Sequence, residues 1–335
     1  MLTFNRAFKL KLSFIVCALL MLLLTACQPS SNKPIQRWQH AAEGTYAANI
    51  SQDGHYSVIS SIHHGINLWD LETNALKFNW SQQQKDSDNL VLALDISANN
   101  SHVLSASRNN FALWNMETGE SEGYWKIRNS NIRDIAIANN GDYLLIGKGN
   151  GTVVHVTMAN GRRLEFLGHS EKINSVDMLP NGRIAMSGGN DFVANVWDTL
   201  SGQVIYRFNH TSRVSKVALD VQGRYAFSAD SMKDAYIWDL KTGKLITRLK
   251  GTKRHEVFSS VRFSNDGKTL ITGAATRKVS VWNIATGDRL AHWFVTAKDT
   301  KRPSGAVVYS VAFRDNGTIL TESSSGYAEL WPMPK

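Results

Sequence analysis

Short runs in which apolar and polar residues alternate follow one another along the chain from residue 35 to residue 331. The runs are rich in Val, Ile and aromatic residues, and turn residues such as Asn181-Gly182 and Asn316-Gly317 separate them. Alternation with a period of two places successive side chains on opposite faces of a β-strand, and Gly or Asn tolerates the positive φ of a tight hairpin. The pattern therefore predicts an all-β chain of short antiparallel strands.

The strands are organised in a repeat. Seven units share an apolar run with an anchor position that is tryptophan in six units and valine in one. The anchors are Trp69, Trp114, Val156, Trp197, Trp238, Trp282 and Trp331. Successive anchors are 45, 42, 41, 41, 44 and 49 residues apart, and a period of roughly 40 to 45 residues is typical of four-stranded propeller blades. We therefore predict a seven-bladed β-propeller with four-stranded antiparallel blades.

From Ile35 to Trp331, the repeats resemble those of WD-repeat proteins. The resemblance is most complete in the fourth unit, where it implies a structural tetrad whose buried polar groups hydrogen-bond one another. The tetrad consists of His169, Ser187, Asp191 and Trp197. The other units match the family pattern less well, and the fold prediction rests on the period.

The ends of the repeat region predict how the ring closes. The seventh unit has no outer strand of its own, whereas residues 35–40 resemble an outer strand and precede the first unit. We expect this N-terminal strand to complete the last blade, because an unpaired strand edge invites aggregation.

The N-terminal segment has the composition of a secretory signal peptide. Three basic residues precede the apolar run 14–24, which is too short for a comfortable membrane span. The sequence Leu24-Thr25-Ala26-Cys27 resembles the lipobox of bacterial lipoproteins, and the resemblance implies that Cys27 carries diacylglycerol and becomes the mature N-terminus. The alternative is an ordinary signal peptide that leaves Cys27 as a free thiol. We predict a lipoprotein signal peptide over 1–26, a lipidated tether over 27–34 and the propeller over 35–335.

The predicted location follows from the residue after the lipobox cysteine. In bacterial lipoproteins an Asp at that place favours the inner membrane, and here the residue is Gln28. The resemblance therefore implies a lipid anchor in the outer membrane, with the propeller facing the periplasm. Removal of the signal peptide leaves a single cysteine, so we expect no internal disulfide.

The inner strands are where a propeller would place catalytic or metal-binding side chains. Their shared pattern directs the third and fifth residues of each strand into the central channel. The predicted channel residues are Ala47, Asn49, Ala93, Asp95, Asp134, Ala136, Ser175, Asp177, Lys216, Ala218, Ser260, Arg262, Ser310 and Ala312. The three aspartates could hold a hard cation such as calcium. We favour the alternative that Lys216 and Arg262 balance their charge in a hydrated channel that holds no metal or cofactor.

The sequence carries no phosphate-binding loop and no nucleophile elbow. We therefore expect a binding protein, and a channel-based metal-dependent enzyme is the weaker alternative. Nucleic acid is a poor candidate partner, because the secretion signal directs the chain away from it. We expect the propeller to be a monomer.

Basic residues indicate where a partner binds. The formal net charge is +9, and cations cluster in the loops of blades six and seven, which the resemblance places on one face of the propeller. The predicted partner-binding residues are Lys250, Lys253, Arg254, Arg277, Lys278, Lys298, Lys301 and Arg302. An envelope protein with an acidic surface would fit these loops. The alternatives are an anionic glycan or lipid head group, or a face that is basic only for solubility.

Overall fold

Seven four-stranded antiparallel sheets form the computed structural model, which describes residues 33–61, 63–82, 90–298 and 305–334. The sheets belong to one unit, Pro34–Lys335. Each sheet is one blade, and six of them use four strands that are consecutive in the chain. The fold is a seven-bladed β-propeller, which confirms the prediction from the repeat.

We letter the strands of each blade a to d from the central channel outwards and number them along the chain. Blades one to four comprise β2 (Thr45–Ile50), β3 (Tyr56–Ser61), β4 (Gly65–Asp70), β5 (Ala75–Trp80); β6 (Ala93–Ile96), β7 (His102–Ala106), β8 (Asn110–Asn115), β9 (Ser121–Lys126); β10 (Ile132–Ile137), β11 (Tyr143–Lys148), β12 (Val153–Thr157), β13 (Arg162–Phe166); and β14 (Ile173–Met178), β15 (Ile184–Gly189), β16 (Val193–Asp198), β17 (Val204–Asn209).

Blades five to seven comprise β18 (Val214–Leu219), β19 (Tyr225–Asp230), β20 (Ala235–Asp239), β21 (Leu245–Arg248); β22 (Phe258–Phe263), β23 (Thr269–Ala274), β24 (Lys278–Asn283), β25 (Arg289–Phe294); and β26 (Val308–Arg314), β27 (Thr318–Ser323), β28 (Tyr327–Pro332) with β1 (Gln36–Gln39).

The antiparallel order gives the propeller two faces. The d–a loops that join successive blades lie at the same end as the b–c turns, and we call this end the d–a face; in blade four it contains residues 167–172 and 190–192. The a–b and c–d turns lie at the other end, which we call the a–b face.

The N-terminal strand closes the ring. Strand β1 pairs with β28 from Gln36 opposite Leu330 to Gln39 opposite Tyr327, so that blade seven is built from both ends of the described chain. The backbone N–H of Ile35 extends the ladder by donating to the carbonyl of Leu330 over 2.7 Å. The prediction that this strand completes the last blade is confirmed.

Apolar side chains fill the space between neighbouring blades. At the junction of blades three and four, the rings of Phe166 and Trp197 stack with centroids 4.4 Å apart, and Trp197 is fully buried. The approach of blades four and five requires a glycine on strand b of blade four, because a Cβ on Gly188 would lie 2.5 Å from Val214 Cγ1 in blade five. Close packing of this kind leaves no room for a larger residue.

Candidate partner-binding face and central channel

The inner strands enclose a channel cavity of about 270 Å³. Ten of the fourteen predicted channel residues line it, namely Ala47, Asn49, Ala93, Asp95, Asp134, Ala136, Asp177, Lys216, Ala218 and Arg262. The four others, Ser175, Ser260, Ser310 and Ala312, are buried and do not line this cavity. Ser310, for example, accepts a hydrogen bond from the Ile50 N–H over 2.9 Å. The alternation rule therefore places ten of its fourteen residues correctly, but it misses other residues that line the channel, such as Arg133 and Tyr309.

The three channel aspartates link neighbouring blades. In each of them, Oδ1 accepts a hydrogen bond from the N–H of the next residue, and Oδ2 accepts one from the inner strand of the next blade. The bonds between blades run from Ile137 N to Asp95 (3.0 Å), from Val176 N to Asp134 (3.0 Å) and from Leu219 N to Asp177 (2.7 Å). These carboxylates therefore satisfy backbone donors that the twisted inner strands would otherwise leave unpaired.

Burial and mutual repulsion disfavour the charged forms of two of these aspartates. Burial, with repulsion from Asp177, raises the pKa of Asp95 to about 7, and burial raises the pKa of Asp177 to about 6. Arg262, a nearby cation, donates to the carbonyls of Ile50 and Val311. Nowhere in the described part of the chain do three or more His, Cys, Asp or Glu side chains form a group suited to a metal ion. The charged side chains of the channel thus form hydrogen bonds mainly with backbone groups of the propeller itself.

The predicted tetrad of blade four is assembled in part. His169 Nδ1 donates to Asp191 Oδ2 over 3.0 Å, and the Ser187 hydroxyl lies 2.9 Å from His169 Nε2. The indole N–H of Trp197 has no hydrogen-bond partner within the described residues, so the tryptophan contributes packing only. The His169–Asp191 bond ties the d–a loop of blade four to its b–c turn.

Blade five contains a similar set that was not predicted. The Trp238 indole N–H donates to Ser228 Oγ over 2.9 Å, and Ser228 Oγ lies 2.8 Å from His210 Nε2. The Gly-His pair of blade four is replaced here by Asn209-His210, which concealed the match. The separations of 18 residues from His to Ser and 10 from Ser to Trp are the same in both blades and would have identified it.

The predicted partner-binding cations do not all face solvent. Lys253, Arg254 and Lys298 are exposed, and no ion pair within the described residues involves their side chains. Lys250 is exposed but pairs with Asp288 over 3.0 Å. Lys301 and Arg302 lie outside the described residues.

Lys278 and Arg277 are held within blade six. Lys278 is 7% exposed, and its Nζ lies 2.9 Å from Glu256 Oε1, so that it completes a buried ion pair and is not offered to a partner. Arg277 Nε and Nη2 donate to the carbonyl of Val295 over 3.0 and 2.7 Å. The sequence indicated basic residues here, but it could not show that the carboxylate of Glu256 pairs with Lys278.

Further cations on the d–a face were missed. Arg213 and Lys233 of blade five are exposed, as are Arg108 and Arg128 of blades two and three, and their side chains form no hydrogen bond or ion pair within the described residues. Asp191 and Glu256 at this end are occupied, since Asp191 bonds to His169 and Glu256 pairs with Lys278, whereas Glu171 is exposed and forms no ion pair within the described residues. The exposed cations outnumber it, so the d–a face carries unneutralised positive charge on several neighbouring blades, which favours an anionic partner surface.

The signal peptide, Cys27 and most of the tether lie outside the described residues. Within the described ranges, the chain forms no helix with the length and apolar character that a membrane crossing requires.

In comparison with known proteins, two segments of the chain are similar to WD40 repeats. The sequence model of the family described as WD domain, G-beta repeat, matches residues 161–198 and 243–283. The chain is 27% identical over 165 residues to the WD repeat-containing protein SL1-17 of Schistosoma mansoni, a match that covers 48% of this chain and 53% of that protein.

A second relative comes from a bacterium. An uncharacterized WD repeat-containing protein of Synechocystis sp. is 28% identical over 120 residues, which is 35% of this chain and 34% of that protein. The chain thus spans about half or less of the length of these relatives. The matches support a WD-repeat propeller, and WD40 propellers are typically non-enzymatic scaffolds.

Proposed function

Because this chain carries WD40 repeats in a seven-bladed propeller, we propose that it is a non-catalytic protein-binding module of the bacterial cell envelope. A lipid on Cys27 holds it at the outer membrane, and the d–a face is directed at a protein partner in the periplasm. The propeller fold alone hosts many functions, so the proposal depends on features of this face.

The observation that carries the proposal is the set of exposed cations without ion pairs on adjoining blades of the d–a face. Arg213 and Lys233 belong to blade five, and Lys253 and Arg254 to the entrance of blade six. Charges that make no bond within the fold contribute little to its stability, but they raise the association rate with an acidic partner.

The membrane anchor rests on the N-terminal sequence. The segment Leu24-Thr25-Ala26-Cys27 supplies the lipobox, and the polar tether that follows leads directly to β1 in blade seven. Three acyl chains would anchor the protein far more firmly than the marginal hold of a single chain. Metabolic labelling with a palmitate analogue tests this part: the wild type should be labelled and recovered with outer membranes, whereas Cys27→Ser should be neither.

A second candidate ligand is an anionic glycan or lipid head group, which the same unpaired cations favour. Lipid head groups and a protein partner can be distinguished by vesicle binding and by its dependence on salt. Purified protein should bind vesicles of anionic phospholipid at low salt if head groups are the ligand, and binding should fall steeply as salt screens the charges. Binding to a protein partner that buries apolar surface should persist at moderate salt concentration.

Affinity capture after cross-linking in cells tests the protein-binding proposal. The variant carries Glu at Lys253, Arg254, Lys301 and Arg302, and a matched control carries Glu at Lys241, Lys244 and Lys268 on the a–b face. We expect specific envelope proteins to be captured by the wild type and the control and to be lost from the variant. Equal capture by all three would leave the basic residues with a solubilising role only.

A further inference from the structure

Phe192 has a backbone conformation that its side chain disfavours. It precedes β16 in the b–c turn of blade four and has a φ of 69°, in the left-handed region that bulky residues rarely occupy. The same place, five residues before the anchor, also has positive φ in three other blades. In blades three and seven it is taken by Gly151 and Gly326, which adopt this conformation without strain.

The fourth residue with positive φ at this place is Arg277, and its side chain offsets the strain. Its guanidinium donates twice to the Val295 carbonyl and so fastens the turn to the end of β25. Phe192 makes no corresponding contact: its side chain is 49% exposed, and it takes part in no aromatic pair within the described ranges. Phe192 therefore combines a strained backbone with an apolar ring that is about half exposed, and no side-chain hydrogen bond like that of Arg277 offsets the strain within the described residues.

A second exposed apolar residue lies in the d–a loop that is bonded to this turn. Leu167 is 73% exposed and lies in the d–a loop that enters blade four, two residues before His169. His169 Nδ1 bonds to Asp191, the residue before Phe192, and Asn195 Nδ2 donates to the Gly168 carbonyl over 3.3 Å. These bonds join the loop that carries Leu167 to the turn that carries Phe192, so that both exposed residues belong to one braced platform on the d–a face.

Cations flank this platform on the side of blade five. The Phe192 carbonyl accepts a hydrogen bond from the His210 N–H, which opens the d–a loop that carries Arg213. The Arg213 carbonyl in turn accepts from the Ser231 N–H in the turn that carries Lys233. The surface thus joins an apolar pair to exposed positive charge, which is complementary to an acidic peptide with an apolar side chain.

We propose that Leu167 and Phe192 form an apolar anchor that receives one aliphatic or aromatic side chain from an acidic segment of a protein partner. This inference rests on the proposed function, which it deepens by naming the chemistry of the partner. A strained, exposed aromatic residue on a rigid support has the character of an interface hot spot, where a few residues carry most of the affinity. The free cations then set the orientation and the association rate.

The test selects displayed random peptides on the detergent-solubilised full chain and measures the affinity of the selected peptides for defined variants. Phe192→Gly removes the ring and relieves the strain, so we expect a Tm equal to or above that of the wild type. Selected peptides should carry Leu, Phe or Trp among Asp and Glu residues, and they should bind Phe192→Gly at least about tenfold more weakly. Leu245→Ser, at an exposed apolar site on β21, is the matched control and should bind as the wild type does.

Three results would overturn the anchor. The first is peptides that bind Phe192→Gly as tightly as the wild type, the second is a clear fall in Tm for Phe192→Gly, and the third is a selection that yields no binding peptide. Charge reversal separates this failure from that of the proposed function. If the acidic peptides bind Phe192→Gly with unchanged affinity but no longer bind Lys253→Glu/Arg254→Glu, the anchor is wrong and the basic binding face is supported. If their affinity is unchanged by both sets of substitutions, both proposals are contradicted.

Discussion

His40 and Glu322 lie 282 residues apart in the sequence and are joined by a 2.6 Å hydrogen bond between fully buried side chains. The Ser57 hydroxyl donates to the same carboxylate oxygen over 2.7 Å, and the His40 ring stacks on Trp69 with centroids 4.6 Å apart. His40 follows the closing strand, Glu322 belongs to β27 of blade seven, and the other two residues belong to blade one. The pair therefore fastens the ring where its two ends meet.

Removal of Glu322 should weaken this junction strongly. Glu322→Ala leaves the buried imidazole and the Ser57 hydroxyl without their acceptor, and the loss of one partner from a buried pair costs about 3 kcal/mol of unfolding free energy. Denaturant titration measures the change, with Glu171→Ala in an exposed loop as the control. A loss no larger than that of the control would mean that the junction depends on the strand ladder alone.

The pair of His40 and Glu322 predicts that the stability of the fold depends on pH. Burial acts to lower the pKa of His40, but the charge and hydrogen bond of Glu322 outweigh it and raise the pKa above 6.5. A histidine with a raised pKa stabilises the fold fully below its unfolded value, and this contribution is lost as the pH rises through the folded value. The stability difference between wild type and His40→Gln should therefore shrink as the pH rises from 6 upwards. A constant difference would show that His40 does not change its charge state on folding.

The two histidine–serine sets should respond differently to loss of the hydroxyl. Within the described residues the Ser187 hydroxyl is bonded to His169 alone, whereas Ser228 is bonded to both His210 and Trp238. Ser187→Ala should cost about 1 kcal/mol, and Ser228→Ala about 2 kcal/mol, because it also leaves the partly buried indole N–H of Trp238 unpaired. Thermal unfolding of the two variants compares them directly. Equal losses would indicate that the tryptophan bond contributes nothing to stability.

Asp95 should make the fold less stable as it ionises. Its pKa is raised from 3.8 to about 7, mainly by burial. An acid with a raised pKa favours folding in its protonated form, so wild type should lose stability relative to Asp95→Asn as the pH rises from 4 to 7. Denaturant midpoints at several pH values measure this trend. The opposite trend would mean that the hydrogen bonds from Ile137 and Asn49 stabilise the carboxylate more than burial destabilises it.

The fold was largely predictable because its signals are local. The anchors from Trp69 to Trp331 give the number of blades, and the outer-strand pattern of residues 35–40 gives the closure. Period-two alternation also directed Asp95, Asp134 and Asp177 into the channel. It could not show that their carboxylates bond to the next blade, because that depends on the distance between strands some 42 residues apart.

The candidate site was less predictable, since a charged residue looks the same in sequence whether it is buried or free. Lys278 and Lys253 both belong to basic loops, yet of the two side chains only that of Lys278 pairs with the buried carboxylate of Glu256. The exposed cations Arg213 and Lys233 stand in short loops that conform to the repeat, so nothing marked them. Nor does the sequence reveal the positive φ of Phe192, because a phenylalanine gives no local signal for the left-handed conformation that Gly151 and Gly326 adopt at the equivalent places.

Photo-cross-linking in living cells can show whether the d–a face contacts a protein partner. A photoreactive phenylalanine derivative is placed at Arg254 on the d–a face in one strain and at Lys268 on the a–b face in another, in the full-length chain. We predict a discrete protein adduct from position 254 and none from position 268. Adducts from position 268 alone, or none from either position, would contradict the proposed contact.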